Sequence, residues 1–187
     1  MLRFPDEAAF AAFNDKRAKK KGIKSVDITE MKVPKALREV RTLVSPHGKA
    51  LAYLASHPED FEGKQEHYEQ VMVFDYFERN DAIVYEALYA IPNGGLRNKG
   101  TAGRIKAEGG KRGELDINLD IARGAYHGLR IELKYGKNTA TDEQKVVIER
   151  HTRNGYLALV VWGHGNCIAV IKAYMDLSPG DTLEITV

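Results

Sequence analysis

Gly113-Glu114-Leu115-Asp116-Ile117-Asn118-Leu119 and Gly128-Leu129-Arg130-Ile131-Glu132-Leu133-Lys134 both alternate apolar with polar residues, and only a short stretch separates them. Successive side chains of a β-strand leave opposite faces, so this alternation marks a strand with one face on a core. Two such runs joined by a bend at Arg123-Gly124-Ala125 read as an antiparallel pair, and that bend sets Asp116 opposite Glu132. Lys134 lies two residues further along the same face. Two carboxylates and an ammonium group therefore converge on one patch of sheet.

That trio has a chemical use. A hard divalent cation takes oxygen ligands, and Mg²⁺ in particular is held by one or two carboxylates together with waters and phosphate oxygens. A lysine adds positive charge beside an attacking water or a crowded phosphorus. These are the minimum groups for metal-assisted phosphodiester hydrolysis. The Glu-x-Lys spacing alone carries no weight, since it also occurs at Glu30-Met31-Lys32, Glu62-Gly63-Lys64 and Glu143-Gln144-Lys145. Only Glu132-Leu133-Lys134 sits in an alternating strand with an aspartate opposite. The same charges also suit a solvated sheet face with a cross-strand ion pair, so the rest of the chain has to decide.

A chain of 187 residues with 43% hydrophobic content buries one core plus a small appendage. Its net charge is only +2, so affinity for a polyanion must come from local clustering. The single cysteine, Cys167, excludes an internal disulfide framework and a multi-cysteine zinc site, and reads as a small buried hydrophobe. The six histidines show no zinc-ligand spacing. No run approaches the ~20 apolar residues of a membrane span, and the N-terminus has no apolar signal region. The expectation is a soluble, cytoplasmic protein.

Residues 6–21 form a helical pattern capped by Asp6, with a basic end from Lys16 to Lys21 that suits a helix C-terminus. A strand at 25–29 and helices at 35–44 and 47–56 follow, and the polar segment 58–64 reads as a linker. The division falls near residue 64: a mostly helical extension over 1–64 and a second unit over 65–187. Glu66 to Arg79 is a helix on which Glu66 or Glu69 can reach the acidic pair, and spacing does not choose between them. An apolar stretch at 82–91 ends at Pro92-Asn93-Gly94-Gly95. Arg97, Lys99, Arg104, Lys106, Lys111 and Arg112 then face the single acid Glu108, a net +5 over 16 residues immediately before Asp116. Such density suits a phosphate-facing loop, because each phosphate neutralised releases counterions. Thr141-Asp142-Glu143-Gln144 is a capping box opening a helix to about Arg153. Tyr156 to Trp162 is a continuous apolar run suited to a strand buried on both faces, Asn166 to Met175 is a last helix, and Thr182 to Val187 is a candidate edge strand. The expected fold is α/β, a core of about 120 residues with helices on both faces of a sheet.

The stretches Glu66-His67-Tyr68-Glu69-Gln70, Ala90-Ile91-Pro92-Asn93-Gly94-Gly95, Lys106-Ala107-Glu108-Gly109, Gly113-x-x-Asp116, Tyr126-His127-Gly128-Leu129-x-Ile131-Glu132-Leu133-Lys134, Thr141-x-x-Gln144 and Gly155-Tyr156 share an order and spacing. Together they resemble the VRR-NUC branch of the PD-(D/E)xK nuclease superfamily, particularly its small standalone phage members. The resemblance spans residues 66–175. It implies a restriction-endonuclease-like core, a mixed central sheet flanked by helices, and a catalytic set carried over by position. Asp116, Glu132 and the Leu133 backbone carbonyl would coordinate Mg²⁺ or Mn²⁺. Lys134 would orient or help deprotonate the attacking water, Gln144 would face the site, and Glu66 or Glu69 would complete the acidic shell. Leu115 stands where the superfamily usually has Pro, and Gly110-Lys111-Arg112 where the name-giving Val-Arg-Arg is sought; neither departure removes a ligand.

The implied function is a Mg²⁺- or Mn²⁺-dependent, structure-selective endodeoxyribonuclease. Standalone viral members are similar to Holliday-junction resolvases, so branched DNA is the expected partner and a homodimer the expected assembly. The alternatives are a flap, end or duplex nuclease of the same fold and a non-catalytic DNA-binding subunit. An RNA-directed nuclease has less support, because the sequence displays no aromatic stacking platform of the usual RNA-binding kind.

Overall fold

The computed structural model describes residues 45–91, 103–105, 107–111 and 113–183. The helices expected at 6–21 and 35–44, the strand at 25–29 and the turn Pro92-Asn93-Gly94-Gly95 lie outside the described residues. In chain order the elements are α1 (Pro46–Ser56), α2 (Gln65–Asn80), α3 (Ala82–Ala87), β1 (Leu88–Ala90), β2 (Ile117–Leu119), β3 (Leu129–Lys134), α4 (Asp142–Arg153), β4 (Leu157–Trp162) and α5 (His164–Met175). The four strands form one sheet in the order β1-β2-β3-β4.

β2 and β3 pair antiparallel with Ile117 opposite Ile131, Asn118 opposite Arg130 and Leu119 opposite Leu129. One step further, this register sets Asp116 against Glu132. The connection doubles back where Arg123 bridges Tyr126 and Gly124 takes φ 58°. A Cβ on Gly124 would lie 2.3 Å from the Asp181 carbonyl oxygen, so only glycine closes this bend. β1 extends the antiparallel part, and β4 pairs parallel to β3. A parallel neighbour needs a crossover, and α4 supplies it. The apolar stretch 82–91 resolves into α3, whose N-terminus Asp81 caps by accepting from the Val84 N–H at 3.1 Å, and the short strand β1.

α2, α3 and α5 cover one face of the sheet, packing Val73, Phe74, Phe77, Val84, Ile168 and Ile171 against Ile117, Ile131, Leu133, Leu159 and Val161. α4 covers the other, with Val147 and Ile148 against Leu115, Ala158 and Val160. All six residues of β3 are buried, so the polar face that alternation assigns to solvent lies under the crossover helix instead. Arg130 on that face stacks over the Tyr156 ring at 4.3 Å and pairs with Asp120 at 2.8 Å.

α1 packs on α2: the Ser45 hydroxyl donates to Glu78, and the His47 ring stacks on Phe74 at 5.5 Å. α5 begins at His164, two residues earlier than the sequence pattern places it. Thr182 and Leu183 are not in a strand, and residues 184–187 lie outside the described residues.

Candidate active site

β3 carries Glu132 and Lys134 to the end of the sheet on the face that α4 covers. Glu132 is 1% exposed and Lys134 8%, which removes the solvated-face reading. Asp116, just before β2, accepts from the Leu133 N–H at 3.1 Å through Oδ2. A strand residue presents its N–H and C=O toward the same neighbouring strand, so the Leu133 carbonyl also points to the Asp116 side. The Asp116 and Glu132 carboxyl groups are near enough for each to influence the other's ionisation. Lys134 Nζ lies 2.7 Å from Glu132 Oε1 and 3.9 Å from Glu66 Oε2.

Local sequence explains how these groups are held. Gln144 closes the capping box of α4: its N–H donates to Thr141 Oγ1 at 3.3 Å, and its Oε1 accepts from the Thr141 N–H at 2.8 Å. Its remaining amide donor, Nε2, is then directed to Glu132 Oε1. Gly113 lets the chain leading to Asp116 pass close to this helix start. It has φ 76°, and a Cβ there would lie 3.0 Å from Glu143 Cβ and 3.3 Å from the Gln144 nitrogen.

The two glutamates of α2 part company. Glu66, on the first turn, faces Lys134 and accepts from Asn138 Nδ2 at 2.9 Å. Glu69, one turn on, is buried and turns to the start of α5, accepting from the His164 N–H and lying 2.6 Å from His164 Nδ1. No sequence pattern singles out Asn138. It lies in the loop after β3, 72 positions from Glu66, and carries no motif; its carbonyl accepts from Trp162 Nε1 at 2.8 Å.

Burial and the adjacent Asp116 charge push the Glu132 carboxyl up to about 8. Burial likewise raises Asp116, against the Leu133 N–H, which favours its ionised form. Burial opposes the charge on Lys134, but the carboxylates of Glu132 and Glu66 outweigh it and hold the ammonium above its ordinary pKa. For Glu69, burial is outweighed by the bonds from His164, and its carboxyl is lowered. With both acids ionised, Glu132 Oε2 is buried without a partner, one of two such side-chain atoms among the described residues. A proton between the carboxyls satisfies that oxygen, and so does a cation.

The donor set suits a hard divalent cation that keeps several waters: two carboxylates and one carbonyl, all oxygen. Among the described residues no three His, Cys, Asp or Glu side chains converge as a metal-holding group. Of the basic segment, Arg104 and Lys111 are exposed, Arg104 pairing with Glu108 at 3.3 Å. Arg97, Lys99, Lys106 and Arg112 lie outside the described residues.

No family model matches the chain, and no curated protein matches it. Among solved structures, one described as a VRR_NUC domain protein is 35% identical, with a TM-score of 0.57; the match covers 66% of this chain and 99% of that one.

Proposed function

Because the chain belongs to the VRR-NUC domain family, we propose that it is a divalent-metal-dependent nuclease hydrolysing phosphodiester bonds of branched or otherwise structured DNA. Glu132 carries this reading: a carboxylate buried within a sheet, one oxygen unpartnered, beside a second carboxylate and a lysine. A purely structural buried ion pair gains its stability by satisfying every polar atom. With both acids ionised, this cluster leaves Glu132 Oε2 without a partner.

Asp116, Glu132 and the Leu133 carbonyl would hold Mg²⁺ or Mn²⁺. Such a cation, when bound, supplies positive charge at a phosphoryl oxygen and makes a neighbouring water acidic. Lys134, whose pKa the carboxylates of Glu132 and Glu66 raise against burial in the metal-free protein, would orient the attacking water as a cation. Its Nζ would donate a hydrogen bond to the attacking water and face the negative charge that builds on the phosphoryl oxygens; as the new P–O bond forms the water's proton passes to solvent, and as the opposite ester bond breaks the leaving oxygen takes a proton from solvent. Glu66, braced by Asn138, limits where that ammonium can point, and Gln144 does the same for Glu132. The basic segment from Arg97 to Arg112 contacts phosphates along the strand. Four-way junctions require opposed cuts, which a two-fold homodimer supplies.

The test is cleavage of labelled four-way junction, flap, single-stranded and duplex DNA with Mg²⁺ or Mn²⁺, with Asp116→Asn as control. Paired symmetric nicks in the junction, absent from the control, are expected. Cutting confined to flaps, ends or duplex replaces the junction reading with that of its nearest relative. Binding with no cleavage of any substrate makes the protein a DNA-binding subunit.

A further inference from the structure

Aromatic rings border the lysine end of the site. Tyr135 follows Lys134 directly and is 38% exposed. Its ring meets Phe61 at 5.6 Å with planes at 86°, and Phe61 lies 6.2 Å from the ring of buried Tyr68. Tyr68 belongs to α2, two residues from Glu66, whose carboxylate reaches Lys134. Tyr135 thus meets Phe61, which in turn meets Tyr68. Further out, exposed Tyr53 stacks on His57 at 4.3 Å, and Asp60, the neighbour of Phe61, raises the pKa of its hydroxyl. On the other side of Tyr135, Gly136 takes φ 57° and Lys137 is exposed. These rings come from α1, the turn at Pro58–Phe61, α2 and the end of β3, so no sequence window holds them together.

We propose that Tyr135 is a stacking platform for an unpaired base of the DNA substrate next to the cleaved phosphate, with Lys137 meeting a flanking phosphate. The inference rests on the nuclease reading of the Lys134 site and adds the substrate class to it: DNA with unpaired nucleotides at the cut. Every base offers a flat π-face, so an exposed tyrosine holds it without sequence preference. Within a continuous duplex both faces of each base are covered by neighbours, and exposing one requires unstacking. At a flap, a gap or an open branch point a face is free. Exposed Lys137 beside the ring favours a nucleic acid over an apolar protein partner.

The experiment uses the full chain in chelator, where binding is read without cutting. The probe is a duplex with a single-stranded flank carrying 2-aminopurine at its first unpaired position. Wild type and Tyr135→Phe quench the fluorescent base. Tyr135→Ala does not, and binds roughly fivefold or more weakly, with an unchanged salt slope because every lysine and arginine that meets a phosphate is still present. Tyr135→Leu, which keeps apolar contact with Phe61 but has no flat face, behaves like the alanine variant, and thermal unfolding of each variant checks that the fold is retained. Undiminished quenching by Tyr135→Ala and Tyr135→Leu overturns the proposal, as does a loss of affinity accompanied by a lower salt slope. Adding Mg²⁺ to wild type on the same DNA tests the nuclease reading separately: quenching without cutting keeps the platform and removes the nuclease, and cutting with quenching undiminished in both variants does the reverse.

Discussion

At Glu132 two demands conflict: the fold needs this strand position buried, and the carboxyl group needs a partner for each oxygen. Without a cation the conflict is relieved by a proton, which is why its pKa lies at about 8 in place of the ordinary 4.5. The folded state then binds that proton more tightly than the unfolded chain does. The resulting stability is complete below about pH 4.5 and is lost as the pH rises through about 8. Denaturant unfolding in chelator is therefore expected to show wild type losing stability, on the order of a few kcal/mol, between about pH 5 and about pH 8. Glu132→Gln, neutral throughout, lacks that component, and equal pH profiles for the two proteins would contradict this account. If Mn²⁺ binds there it should expel the proton, and its stabilising effect is then expected to grow with pH. Gln144 has two tasks at once, closing the α4 cap with Oε1 and holding Glu132 with Nε2. Gln144→Glu keeps the cap acceptor and removes the donor. Cleavage should fall roughly tenfold or more, the worth of a bond to a charged group, while the unfolding midpoint stays near wild type; kcat/KM and thermal melts read both. Spacing alone could not separate Glu66 from Glu69, because residues one turn apart share a helix side. The choice is made by Asn138 and His164, which are distant in sequence from both.

At the scale of elements, the hairpin register was legible because alternation fixes which residues share a face and the glycine bend fixes the offset. The capping box announced α4 with equal clarity, since Thr141 and Gln144 satisfy each other locally. The burial of the polar face was not legible in the alternation itself, only in the expectation of helices on both faces of the sheet. Alternation reports that two faces differ, not what covers them, and the cover here is the crossover that a parallel β4 demands. The start of α5 was hidden for a similar reason: Gly163 has no side chain to cap it, and the acceptor for the His164 N–H is Glu69, 95 positions away. Where β2 approaches α4, Gly113 sets the distance between Asp116 and Gln144. Gly113→Ala meets both a positive φ and the backbone of Glu143 and Gln144. It should cost about 1–2 kcal/mol of stability and lower cleavage by displacing Asp116. Gly180→Ala, also at positive φ but with nothing within 4 Å, serves as the strain-only comparison. If both variants melt and cut alike, the close approach at Gly113 has no role in aligning the site.

The whole molecule carries a net charge of only +2, and that balance hides the segment from Arg97 to Arg112. If those cations meet DNA, Lys106→Ala with Lys111→Ala lowers the slope of log affinity against log salt by about one for each phosphate no longer neutralised. An unchanged slope in a salt titration assigns both lysines to solvent. The family relationship spans 66% of the chain, and α1 packs on α2 through Ser45 and His47. The central claim is that the Asp116, Glu132 and Lys134 cluster performs the chemistry while other surfaces hold the DNA. Its most direct test is single-turnover cleavage with Mg²⁺ or Mn²⁺, alongside DNA binding in chelator, for wild type, Asp116→Asn and Lys134→Ala. The account predicts cleavage reduced by about a thousandfold or more in both variants, with affinity close to wild type; wild-type rates of cutting by either variant would contradict it.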